Sequence, residues 1–452
     1  MGRYSRKILS AIRSRLDAGL TESDRDRILL GTLHSFLIQG GAIVLVFISN
    51  LLLVRASDAD SYGLYVHVFN WVSILSVVVL GGRDDLVLAQ LPRYTREQRG
   101  RLVGLVLAAN RWILGAAVVV GLTFALLLHW VPVGTLSNHQ PLFRLGMIAV
   151  YLTAALGLNQ LVLQALNFIR LSQVLEKLVK PSLLILGVVL LRFAGVAFTA
   201  RVLIVLSCVV LGVCCVGACL LVVRKIQIYT APRSESGPGQ RLSGKTSYFF
   251  LISLLTLLAT KITMLILPVY LPATKDIGIF NIAYRFADLL IFPFFLMHAV
   301  LPQLFARHTA SGRPYTQSLF SESNKLMALL SLPLLLVIVG AGRLLLRLFG
   351  PEFSAGYPAM IYISLAQFLF SAFGPSNTIL MMQDREKYSA GCLLVYVALL
   401  AGTSWWLIPG GGITGGALAI LISSACYNIV LAVVVYRVCG VRSPFLGWLF
   451  PN

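Results

Sequence analysis

Lys261 stands inside an apolar stretch, residues 247–271 (SYFFLISLLTLLATKITMLILPVYL), that otherwise reads as a membrane-spanning helix. An ammonium at bilayer depth is costly, and such residues mark a substrate or ion pathway, or a binding cavity. The next apolar stretch carries Asn281, Arg285 and Asp288 at i, i+4 and i+7, one face of a helix. Two cations and a carboxylate placed this way can hold an anion, titrate in ion coupling, or pair with each other as a structural element. Gln160, Gln164 and Asn167 form an amide stripe that could meet hydroxyl groups or cement a helix interface. Arg83, Asp84 and Asp85 close the second apolar stretch near the expected inner boundary, as a gate or as a locally paired surface. Arg111 lies within a span, and Arg144 lies close enough to the outer start of one to snorkel.

The elements that position these residues follow from composition. Hydrophobic residues make up 58% and charged residues 12% of 452 positions, and mean hydropathy is +0.85, whereas an ordinary soluble domain is about 25% charged. This predicts an all-α membrane protein of twelve spans, near 32–54, 63–82, 103–128, 142–168, 178–194, 198–223, 247–271, 279–304, 326–348, 357–382, 390–408 and 413–436. Most of the 37 Lys and Arg fall on alternate connections, while the opposite loops hold Arg55, Arg192, Arg201, Lys275, Arg343 and Arg347. Retention of basic loops in the cytoplasm then places both termini inside. The net charge of +20 lies on short connections where anionic lipid headgroups, not nucleic acid, are the nearer partner.

The organisation is expected to be an amphipathic segment 1–30, a six-helix bundle 31–223, a Gly/Pro/Ser-rich cytoplasmic linker 224–246, a second bundle 247–437 and a tail 438–452. In the first segment Ile8, Ile12 and Leu16 share a face, so it either lies along the inner surface or is a solvated tail. No short apolar region with a small-residue cleavage site follows, so no removable signal peptide is expected. Ser61-Tyr62-Gly63-Leu64-Tyr65 matches Asp276-Ile277-Gly278-Ile279-Phe280, and each leads through a span to Leu-Pro, at Leu91-Pro92 and Leu301-Pro302. Ala194-Gly195-Val196-Ala197 likewise faces the glycine run beginning at Gly411. An even number of spans per half makes the two bundles pseudo-symmetric about an axis along the membrane normal.

The seven cysteines show no zinc spacing and no accompanying His or acid, so they are expected to pack between helices, with no metal bound. His34, His67 and His298 are expected to hydrogen-bond to neighbouring helices. No outside loop has room for a folded catalytic domain, and no GxxxxGK[ST] loop is present. A carrier without a cofactor, not an enzyme, is the expectation.

Residues 277–308 (IGIFNIAYRFADLLIFPFFLMHAVLPQLFARH) resemble the signature of oligosaccharide flippases, in which a Gly-led start opens a span ending in Leu-Pro. The stretches LFGPEFSAGYPAMIYISLAQFLFSAFGPSNTILMMQDREKY and GGGITGGALAILIS are similar to that family's later motifs, and LLLVRASDADSYGLYVHVFNWVSILSVVVLGG to its opening helices. The resemblance spans roughly residues 30–440. It implies the multidrug/oligosaccharidyl-lipid/polysaccharide exporter fold, O-antigen or exopolysaccharide biosynthesis, and location in a bacterial inner membrane. The implied substrate is a polyprenyl-pyrophosphate-linked glycan, with a polysaccharide polymerase and a chain-length regulator as further partners. For such a substrate Arg111, Lys261 and Arg285 suit the pyrophosphate, and Gln160, Gln164 and Asn167 the sugar hydroxyls. Asp288 or Asp85 would serve ion coupling or charge pairing, and Arg83 and Asp84 gating. Lys261 departs from the family, where an Asp or a neutral residue is expected near that depth. An ion-coupled exporter of small cations on the same fold, and a glycan ligase or polymerase, are the alternatives. The first predicts an acidic cavity and the second a large outside loop.

Overall fold

The structure is a computed structural model describing residues 22–83, 87, 91, 99–130, 139–228, 243–294, 313–373, 375–383 and 385–443. The first half comprises α1 (Glu22–Ala56), α2 (Ala59–Leu80), α3 (Arg99–Trp130), α4 (Gln140–Ala165), α5 (169–193) and α6 (Ala200–Ile228). The second half begins with α7 (Ser243–Tyr270), α8 (Thr274–Ala287), α9 (Arg313–Arg347) and α10 (Tyr357–Phe373). Helical hydrogen bonding then runs from Glu386 to Cys439 apart from Gly412, whose φ of 55° is open to glycine at little cost. The chain reverses there. Thr403 Oγ1 lies 2.9 Å from Ser423 Oγ and the Tyr396 ring lies 4.9 Å from that of Tyr427, so 386–411 (α11) and 413–439 (α12) form an antiparallel pair.

Ten described helices are long and apolar enough to cross a membrane. Dividing one at Gly412 adds an eleventh, and α5 supplies the twelfth. The protein is a multi-pass, all-helical membrane protein of two six-helix halves. Gly195, at the turn between α5 and α6, also has positive φ, 70°, matching Gly412 in the equivalent hairpin. The described helices reach into the expected linker from both sides, to Ile228 and from Ser243. The Leu91-Pro92 and Leu301-Pro302 pair, apart from Leu91, lies outside the described residues, as do residues 1–21 and 444–452.

One expected span changes. Instead of 178–194, α5 begins at Ile169 and passes through a π turn, Leu175–Val179, before continuing as Lys180–Phe193. Arg170, Lys177 and Lys180, expected in a cytoplasmic connection, are therefore helical. Charged residues and Pro181 lowered the hydropathy of this stretch, but proline at the start of an α-segment breaks no bond, and the π turn absorbs the change in register.

Outward-facing Leu107, Val118, Leu122 and Leu126 on α3 and Leu336 and Leu344 on α9 are exposed because lipid is their solvent. In lipid, helices associate through close packing and interhelical hydrogen bonds, each worth about 0.6 kcal/mol. Ser331–Ser371 (2.7 Å, α9 to α10) and Thr263–Ser404 (3.2 Å, α7 to α11) are of this kind.

Candidate functional site

The halves meet most closely where α2 and α8 begin, at the end expected to be outside. A Cβ on Gly63 would lie 1.8 Å from the Thr274 carbonyl oxygen, and one on Gly278 would lie 3.3 Å from Gly63 Cα. Only glycine at position 63 allows this crossing. Asp60 reaches over from α2, accepting hydrogen bonds from Thr274 Oγ1 (2.8 Å) and the Lys275 N–H (3.0 Å). It thereby supplies the side-chain cap that Ala273 cannot give α8. Arg55 Nε donates to the Leu348 carbonyl (2.8 Å), tying the halves together again at this end.

One turn deeper the interface becomes polar. Tyr62 Oη donates to Asn50 Oδ1 (3.0 Å) and accepts from Asn281 Nδ2 (2.9 Å), linking α1, α2 and α8. Asn281, read from sequence as part of the charged face, is thus a buried bond to the other half. Tyr65 and Phe69 continue a ladder of rings down α2, with centroids 4.8 Å apart.

Below this layer α2 stays against α7, while α1 and α8 have little contact. The span Thr274–Phe294 is the most enclosed of the apolar helices, with 61% buried, yet Arg285 within it is exposed. Its charge reaches Tyr62, Tyr65 and Lys180 of the first half as well as Lys261 and Asp288 of the second. The exposed space around Arg285, in the midst of buried residues of α8, is termed the cleft. Arg285 lies about 16 Å from the outer start of α8 and Lys261 about 14 Å from the outer end of α7, at 1.5 Å per residue. Both are well inside a hydrocarbon core of about 30 Å.

The Asp288 carboxylate accepts a hydrogen bond from Gln367 Nε2 (3.1 Å) on α10. Helix α8 tightens into a 3-10 turn at this point, Asp288–Ile291. Neither Lys261 nor Arg285 closes to within 4 Å of Asp288, so the three charges share a cleft without forming a direct ion pair.

Sequence reasoning missed Lys180. It follows the α5 π turn, on the first half, within electrostatic reach of Glu176 and Arg285. Lys177, in the π turn itself, hydrogen-bonds Gln39 of α1. The signal was present as basic residues beside Pro181 in an otherwise apolar run, but hydropathy alone reads it as a loop. The cleft thus receives Lys180, Lys261 and Arg285 against Asp288, with the Glu176 side chain exposed nearby.

The other sequence-selected residues lie elsewhere. Arg111 is exposed on the α3 stripe that carries Leu107, Val118 and Leu122, opposite the packed face, and the structure does not bring it to the cleft. Gln164 Nε2 donates to Ser172 Oγ (3.1 Å), bracing the α4–α5 turn. Asn167 occupies that turn with φ 68°, beyond the end of α4, so the amide stripe is broken. Gln160 is buried with Nε2 unpartnered. Arg83 stacks its guanidinium 3.9 Å from the centre of the Trp112 ring, while Asp84 and Asp85 lie outside the described residues. The His67 side chain makes no hydrogen bond among the described residues, contrary to expectation. It is packed edge-on against Phe143 (5.2 Å) with both ring nitrogens unpartnered.

The cleft is asymmetric. Helix α2 follows α7 from Asn70–Met264 (3.5 Å) to Gly82, whose missing Cβ would stand 3.2 Å from Phe250. The symmetry-related pair, α1 and α8, shares little beyond the Phe47–Phe286 contact.

No protein family and no curated protein sequence matches the chain. Solved structures do. The lipid II flippase MurJ in an inward closed conformation is similar with a TM-score of 0.64 at 13% identity, over 90% of this chain and 88% of that one. The multidrug transporter DinF-BH, of the MATE kind and in complex with R6G, matches with a TM-score of 0.65 at 14% identity, covering 91% and 95%. A transporter of the MOP superfamily from Pyrococcus furiosus, described as having a binding pocket of reversed polarity, matches with a TM-score of 0.60 at 12% identity, over 89% and 93%. The chain shares the fold of these multidrug and lipid-flippase transporters.

Proposed function

We propose that the protein is a flippase that carries a polyprenyl-pyrophosphate-linked oligosaccharide from the inner to the outer leaflet of a bacterial inner membrane. The observation that carries this reading is the excess of basic charge around Arg285: Lys180, Lys261 and Arg285 from both halves against Asp288 and the nearby Glu176, well inside the membrane. Unneutralised cations at that depth require an anion, and a pyrophosphate supplies one that guanidinium and ammonium groups bind well. Tyr65 and Phe69 offer ring faces to sugars, and the sparse α1–α8 contact leaves a side on which a prenyl tail can remain in lipid. With the Gly63–Gly278 crossing closed, the cleft faces the cytoplasm. Rocking of the halves would close that side and part the glycines, giving alternating access. The MurJ likeness supports a lipid-linked cargo.

The same fold also serves multidrug transporters, and export of small cations is the second reading. The balance of charge in the cleft opposes it. Purified protein in proteoliposomes, supplied with a fluorescent polyprenyl-pyrophosphate glycan or with a cationic dye, tests both. Protected label should accumulate only with the anionic lipid, and uptake of the dye alone would overturn the assignment.

A further inference from the structure

A second basic site lies far from the cleft. Where α1 and α5 end, a groove of about 370 Å³ is walled by Leu52, Val188, Val189 and Phe193 and carries Arg55 and Arg192 at its rim. The Phe193 side chain is 85% exposed and neighbouring Leu190 59%, which makes this a membrane-facing surface. Arg55 uses Nε on the Leu348 carbonyl, and its terminal nitrogens have no partner among the described residues. The Arg192 side chain has no hydrogen-bond or ion-pair partner among the described residues. An arginine in the last turn favours its helix C-terminus by charge alone. That effect accounts for each arginine singly, but not for the convergence of two helix ends on one apolar groove.

We infer that this groove binds the phosphate of an anionic phospholipid in the adjoining leaflet. Arg192 and the free end of Arg55 would share the phosphate oxygens, and one acyl chain would lie along Leu52, Val188 and Val189. Guanidinium groups match phosphate geometry with paired donors, and the headgroup layer is where a helix-end arginine meets phosphate. Because Arg55 keeps its bond to Leu348 while its terminal nitrogens bind, the lipid braces the closed outer end. Membrane composition therefore bears on the conformational equilibrium without any contact with the transported molecule.

Native mass spectrometry of the purified full chain, titrated with phosphatidylglycerol or phosphatidylcholine, tests this. Phosphatidylglycerol should bind at least about tenfold more tightly, and R55Q/R192Q should lose about tenfold in its affinity. R55K/R192K should retain part of it. Val189→Trp fills the groove while sparing both arginines, and should lose the lipid as well, so the idea stays exposed even if the double glutamine variant folds poorly. Equal binding of the two lipids, or wild-type lipid binding by R55Q/R192Q or by Val189→Trp, would overturn the site. So would displacement of the lipid by inorganic phosphate at the same concentration, which would make it a plain anion site.

Discussion

The two halves of the molecule meet through equivalent residues but carry their charges differently. Gly63 touches Gly278, and Asp60 bonds to Lys275, which lies 215 positions further along the chain. The offset is the same for both pairs, so the outer crossing is a near-symmetric contact across the axis relating the halves. Deeper in the membrane that symmetry is lost. The first half offers Lys180, just after the π turn in α5, whereas the second offers Lys261 from α7 and Arg285 and Asp288 from α8 and the turn that ends it. A contact that must form and break as two bodies rock is well served by matched surfaces. A site for a cargo with a distinct head and tail is not, and there the duplicated halves have diverged.

The strongest way to break the comparison is at Gly63. A methyl group there collides with backbone, not with a flexible side chain, and overpacking of this kind costs about 1–3 kcal/mol. Gly63→Ala should therefore bias the outer end towards opening by about tenfold to a hundredfold. A cysteine at Ser61 should label faster from outside, and transport should fall. At Gly278 the nearest atom is the Tyr62 ring at 3.1 Å, which can yield slightly, so Gly278→Ala should act in the same direction but more weakly. Equal effects of the two alanines would show that the contact is less one-sided than its geometry.

The charges come next. Lys180→Met, Lys261→Met and Arg285→Met should each lower glycan-lipid transport about tenfold or more, as befits loss of a charge-assisted contact, with membrane abundance unchanged for the Lys180 and Arg285 variants. If Lys180→Met alone transports normally, the first half contributes no charge to cargo binding and the asymmetry is complete. If the Lys180 and Arg285 variants vanish from the membrane instead, these two residues serve folding.

Lys261 and Asp288 sharpen the point. The two charges act on each other without a direct ion pair, so removing one leaves a membrane-depth charge less well compensated, while removing both avoids that state. Lys261→Met with Asp288→Leu should accordingly be more abundant in the membrane than either single variant. A double variant scarcer than both would rule out mutual neutralisation and favour ion coupling at Asp288.

Hydropathy and the repeated Tyr/Ile-Gly motif were enough to read the number of spans and their duplication, because both are local properties of the chain, though not the start of the fifth span. Lys261, Arg285 and Asp288 were legible for the same reason: charge in an apolar run is conspicuous. Lys180 was not, since a π turn and a proline made the start of α5 resemble a loop. Arg111 shows the converse limit. Its depth could be read, but the direction of its face depends on which side of α3 packs on α4. Asn167 shared a helical face with Gln160 only while the helix was assumed to continue, and the chain turns left-handed there.

The smallest expected effect separates two acids at the start of α2. Asp58 accepts a hydrogen bond from the Ser61 N–H (3.0 Å) and caps its own helix, while Asp60 caps α8 of the other half. Each cap is worth about 1 kcal/mol, but the two should be read in different assays. Asp60→Ala removes a bond that exists only with the outer end closed, so it should raise outside labelling about fivefold with little change in thermal stability. Asp58→Ala should lower thermal stability slightly and leave labelling unchanged, because its bond survives rocking of the halves. Partial burial pushes the Asp58 carboxyl up, but the hydrogen bonds from Ser61 and neighbouring backbone outweigh it and hold the carboxyl below the usual range. A lowered folded-state value means that the stabilising effect is fully present above the ordinary carboxylate pKa of about 3.9 and is lost as pH falls through the lower value. The stability difference between Asp58→Ala and the wild type should hence be the same at pH 8 and pH 6. A difference that shrinks between those values would mean that the cap is not the ionised carboxylate, and a change in outside labelling by Asp58→Ala would erase the distinction between the two acids.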